Sequence, residues 1–99
     1  MPPPIPLDDP QNYLRVIQRI KRLWQEGSVQ WSKHAVERME ARKLDVNDVQ
    51  SILTTGRVVE HSKPRDLWTY KVEGFTVEGN KAACVVAING LLIIVTVIG

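Results

Sequence analysis

The sequence predicts an α+β domain in which N-terminal helices pack on an antiparallel β-sheet. Three observations predict it. Apolar residues recur at helical spacing as far as Gly56 and read as strands after it. Two long apolar runs, 81–88 and 91–98, flank Asn89-Gly90, the best two-residue hairpin signal in the chain. Helices first and strands afterwards is the order of an α+β fold, not of alternating βαβ units.

Residues 1–8 carry four prolines, which deny the backbone hydrogen bonds and helical geometry, so they read as an extended arm before a single domain spanning 9–99. Asp9 is placed to cap a first helix, with Pro10 at its first turn. Tyr13, Ile17, Ile20 and Trp24 form its apolar stripe, flanked by Leu14, Val16 and Leu23, while Arg15, Arg19 and Arg22 lie on the other face. Gly27 ends it. Trp31 precedes Ser32, which caps a second helix that buries Ala35, Val36 and Met39. Asp45 and Asp48 pair as caps for a third, which buries Val46, Val49, Ile52 and Leu53 and stops at Gly56.

Strands follow. Residues 57–61 read as a short edge strand and 62–66 as a polar loop. Residues 67–73 alternate, with Trp68, Tyr70 and Val72 on one face. Gly74 reads as a bend and Gly79-Asn80 as a turn. The two closing runs are apolar on both faces, which marks them as central strands.

Ninety-nine residues, 43% apolar and 24% charged, suit one small domain and exclude a multidomain enzyme. The net charge is only +2, but residues 14–43 carry eight basic and three acidic side chains. That stretch is +5 on a body near −3, a basic segment suited to an anionic partner. Cys84 stands alone, so no internal disulfide exists and a reducing cytoplasm is expected. With only His34 and His61 beside it, no zinc spacing appears. There is also no phosphate-cradling glycine loop or serine elbow, so no metal or cofactor is expected. The start of the chain has neither the basic flank nor the apolar run of a signal peptide. Residues 82–98 are short for a membrane span and broken by Asn89-Gly90, so no membrane partner is expected.

The segment with most chemical content is Ser32-Lys33-His34-Ala35-Val36-Glu37-Arg38-Met39-Glu40-Ala41-Arg42. On a helix, His34, Arg38 and Arg42 fall within about 80° of one another. Guanidinium forks bind phosphate bidentately and an imidazole moves a proton near neutral pH. The same triplet also suits a solvated basic face.

The run from His34 to Arg42, then Asp48-Val49, Ile52-Leu53 and Gly56-Arg57-Val58-Val59-Glu60, resembles a bacterial family of domains of unknown function. So does the closing pattern Val85-Val86-Ala87-Ile88 with Ile94-Val95-Thr96-Val97. That family is found beside zinc-finger antitoxins of the MqsA kind and is grouped with RelE, barnase and EndoU-like ribonucleases. The resemblance covers about residues 20–98. It implies a RelE/MqsR-like fold and a metal-independent endoribonuclease toxin, with RNA and a cognate antitoxin protein as partners. His34, Arg38 and Arg42 would form its functional helix, and Thr96 would be the polar residue of the last strand. The chain departs from the family pattern at Lys43, where a glycine often stands, and at Ala83-Cys84, where many relatives carry a histidine.

Metal-free RNA cleavage needs a base near the 2′-hydroxyl, an acid for the leaving 5′-oxygen, and cations for the phosphorane charge. His34 could be base or acid, and Arg38 and Arg42 could hold the phosphate. Tyr70 is a second proton group or a stacking surface, with packing its simpler role. Lys33 and Arg65 could add phosphate contacts, with a solvated loop the default for residues 62–66. His61 reads as a solvated loop histidine, and Trp24, Trp68 and Cys84 as core. The rival reading is a non-catalytic module that binds protein or nucleic acid on the same fold.

Overall fold

The chain runs as α1 (Pro10–Gln25), β1 (Val29–Trp31), α2 (Lys33–Arg42), α3 (Val46–Thr55), β2 (Arg57–Ser62), β3 (Thr69–Phe75), β4 (Lys81–Ile88) and β5 (Leu92–Ile98). These elements come from a computed structural model that describes residues 10–99. The arm at 1–8 and the Asp9 cap lie outside the described residues. No described helix is long and apolar enough to cross a membrane.

The sheet order is β1-β5-β4-β3-β2. Strands β2 to β5 form the expected antiparallel meander. β1 corrects the expectation of a purely antiparallel sheet. It lies parallel to β5, with Val29, Gln30 and Trp31 opposite Leu92, Ile93 and Ile94. Three residues are too few to show alternation; the strand exists because its partner does. Leu92 N–H donates to the Ser28 carbonyl at 2.8 Å and Ser32 N–H to the Ile94 carbonyl at 3.0 Å.

Two boundaries also differ. The β4–β5 connection is residues 89–91, not a two-residue turn, because Ile88 pairs with Leu92 and Gly90 takes φ 74°. β3 starts at Thr69 and runs through Gly74 to Phe75. Gly74 is not a bend. A Cβ there would stand 2.3 Å from the Ile52 carbonyl oxygen and 2.9 Å from Gly56 Cα, so glycine lets the end of α3 press on β3.

The helices share one face of the sheet. Val16, Ile17, Ile20 and Leu23 of α1, Ala35 and Met39 of α2, and Val49, Ile52 and Leu53 of α3 meet the inner side chains of the sheet strands. Val36 and Val46, expected inside, are 42% and 52% exposed. Ala35 and Met39, four apart, already fill the narrow stripe that α2 presents, and Val46 precedes the turn of α3 that packs. α1 crosses the sheet. Its Tyr13 ring meets His61 of β2, and its Trp24 meets Trp31 of β1 edge-to-face at 5.9 Å. Sixteen residues span about 24 Å, enough to cross four strand spacings of about 4.8 Å.

Caps set the helix ends as the sequence implies. Ser32 Oγ accepts from Ala35 N–H at 3.0 Å, and Asp45 and Asp48 form a reciprocal capping box. α2 closes at Lys43, which takes φ 56°, ψ 40°. That left-handed conformation explains why a glycine suits this position.

Candidate functional site

α2 rests on β5 and is fastened there by one hydroxyl. Besides capping the helix, Ser32 Oγ donates to the Val95 carbonyl at 2.7 Å. The β5 register slips at this point, between the pairs Val86–Ile94 and Val85–Thr96. β1 pairs with β5 only as far as Ile94, so among the described residues 95–98 have no strand on that side. The first turn of α2 therefore stands beside the stretch of β5 that carries Thr96.

His34, Arg38 and Arg42 are all exposed, and none is in an ion pair among the described residues. Lys33 is exposed at the start of the same helix. Thr96 is half-buried. It sits opposite Val85, which in turn sits opposite Lys71, on the sheet face away from the helices. Backbone contact thus brings α2 to the Thr96 segment, while the hydroxyl points to the other side of the sheet. On that face Lys71 is engaged by Glu60 at 3.4 Å and by Glu73 at 4.0 Å.

The structure does not bring Tyr70 to this helix. Tyr70 lies on β3 between His61 and Val86, 8% exposed. β4 separates its strand from β5, about 10 Å at two strand spacings. Burial pushes its phenol above the ordinary value, the Arg19 guanidinium of α1 partly opposes that, and Tyr13 adds to it. Arg65 is exposed in the β2–β3 loop, at the opposite edge of the sheet from Lys33.

A second cluster gathers at that far edge, and sequence reasoning missed it. His61 is not in a solvated loop. It belongs to β2, is half-buried, and its Nδ1 hydrogen-bonds the Tyr13 hydroxyl. Its ring lies 5.6 Å from that of Trp68, and Lys63 Nζ stands 5.6 Å from the Trp68 ring. The Trp68 Nε1–H is buried without an acceptor among the described residues. No sequence signal links Tyr13 to His61, 48 positions apart. His61 and the β5 segment under α2 are three strand spacings apart, about 14 Å, so His34 and His61 do not share one phosphate.

Cys84 is buried, and desolvation pushes its thiol up to about 12, so it is a packing residue. Among the described residues no three His, Cys, Asp or Glu side chains group as a metal-holding set.

A family model described as a domain of unknown function, DUF4258, matches residues 31–98. The match runs from the end of β1 through β5 and includes the basic side of α2; α1 lies before it. Neither a curated protein nor a solved structure matches the chain.

Proposed function

The chain belongs to the DUF4258 family, and on that premise we propose that it is a metal-independent endoribonuclease, the toxin of a type II toxin–antitoxin pair. The observation that carries this reading is the side of α2 on which His34, Arg38 and Arg42 stand exposed with no carboxylate partner among the described residues. Two guanidiniums to hold a phosphodiester and an imidazole to take the proton of the neighbouring 2′-hydroxyl, on one rigid element, are what such a cleavage needs.

In the proposed reaction the 2′-hydroxyl attacks the adjacent phosphorus and His34 takes its proton. Arg38 and Arg42 bind the non-bridging oxygens, whose charge grows in the phosphorane. The bond to the 5′-oxygen breaks, and that oxygen takes up a proton from solvent at this open site. The products are a 2′,3′-cyclic phosphate and a 5′-hydroxyl. The partners are RNA and a cognate antitoxin protein, in the cytoplasm.

The test is cleavage of RNA in the presence of a chelator, with DNA of the same sequence resistant because it lacks the nucleophile. His34→Ala should lower the rate by about 10²–10⁴. Arg38→Ala should cost roughly 2.7–4 kcal/mol of transition-state stabilisation. Chelator-sensitive activity or equal cleavage of DNA overturns the mechanism. A second reading, a non-catalytic module binding protein or nucleic acid, is favoured by the position of Tyr70 and His61 away from α2. RNA binding without cleavage, and no growth arrest on expression, would establish it.

A further inference from the structure

The outer side of α1 carries a second set of cations that the reaction above does not use. At 100° per residue Arg15, Arg19 and Arg22 fall within about 60° of one another and span about 10 Å along the axis. With Gln18, Leu23 and Glu26 they line an open recess of about 510 Å³. Arg15 and Arg19 are in no ion pair among the described residues. Arg22 meets Glu26 at 3.3 Å, but the two side chains are 80% and 54% exposed. Such a surface pair is worth little and yields to a stronger anion. No aromatic side chain lines the recess among the described residues, so it offers charge and forked donors rather than stacking platforms.

Position adds direction. α1 starts over β2 and ends at β1, where Trp24 packs on Trp31. The next residue, Ser32, is the cap of α2. The end of α1 thus lies near β1, the strand that leads into α2.

We propose that the Arg15–Arg19–Arg22 row is a track for the phosphate backbone of single-stranded RNA. The proposal rests on the ribonuclease reading for its ligand class, while its test does not depend on cleavage. Row contacts are to phosphates, so they fix the strand without reading its sequence.

The experiment uses the full chain and a short fluorescein-labelled 2′-O-methyl RNA, which keeps the phosphates and removes the nucleophile. Anisotropy titrations over a range of salt give the slope of log K against log salt. The double variant R15Q/R19Q should bind more weakly and show a slope shallower by about 1.4, about 0.7 for each lost phosphate contact on a single strand. The loss should be equal for unrelated sequences. K81Q, an exposed cation at the start of β4, should leave the slope unchanged. If the double variant unfolds, R15Q alone should change the slope by about 0.7. No binding by the wild-type chain at low salt, an unchanged slope in the folded variant, or a loss confined to one sequence overturns the proposal. Failure of the ribonuclease reading appears separately, as intact 2′-hydroxyl RNA under the same conditions.

Discussion

Replacing Ser32 by alanine removes one oxygen that serves two elements. That oxygen accepts the Ala35 N–H at 3.0 Å as the cap of α2 and donates to the Val95 carbonyl of β5 at 2.7 Å. Loss of a serine cap costs about 1 kcal/mol. Loss of a hydrogen bond that leaves a half-buried carbonyl short of its donor costs about 1 kcal/mol more. Ser32→Ala should therefore destabilise by about 2 kcal/mol, which for a domain of this size is a fall in Tm of roughly 8–16 °C. Ser32→Thr keeps both bonds and should stay within about 0.5 kcal/mol of wild type. Ser32→Asp keeps the cap but has no hydroxyl for Val95, so it should fall between the two. Urea unfolding at constant m reads the series. Equal stability of the alanine and wild-type chains, or of the aspartate and threonine chains, would refute the double role. Because this hydroxyl fastens α2 to β5, the ribonuclease proposal also expects any RNA cleavage to fall in Ser32→Ala at temperatures where the variant is still folded.

Gly74→Ala should destabilise by roughly 1–3 kcal/mol, since its Cβ meets backbone atoms of Ile52 and Gly56 that cannot swing aside; a urea midpoint equal to wild type would refute the close approach. Lys43→Gly should stabilise by about 1 kcal/mol by relieving a left-handed non-glycine residue, read as a higher Tm. Cys84 should resist thiol reagents in the native protein and react on unfolding. Its folded pKa, about 12, lies above its ordinary 9.0. The unfolded chain therefore loses this proton first, and the stability held below pH 9.0 is lost as pH rises towards about 12. Cys84→Ala should flatten that alkaline decline in urea titrations; an unchanged profile would assign the decline to other groups.

What was legible in the sequence was whatever is written locally. Ser32, Asp45 and Asp48 announce helix starts because Ser32 and Asp45 accept from the backbone N–H three residues on, and Asp48 from the one three residues back. The stripe Ile17–Ile20 and the runs in β4 and β5 announce a core through their spacing. β1 was not legible, because three residues become a strand only through Leu92–Ile94, more than sixty positions later. The basic side of α2 was visible as spacing, and that its cations are in no ion pair among the described residues is a tertiary fact. Pairing it with Tyr70 failed because strand order, which places β4 between, is not encoded in local pattern. The Tyr13–His61 contact escaped for the same reason: α1 and β2 meet only because α1 crosses the whole sheet.

The seating of β5 between β1 and β4 has a consequence for the order of events during synthesis. β5 follows every other described element, yet it bonds a strand from near the beginning and supports the helix after it. While residues 92–98 are inside the ribosome, β1 has no partner and α2 has no floor. Closure of this seam joins segments more than sixty residues apart, a non-local step that slows folding and keeps apolar edges open meanwhile. Nascent chains stalled before Leu92 should thus expose β4 as an unpaired edge and engage chaperones, whereas chains stalled with residue 99 clear of the exit tunnel should not.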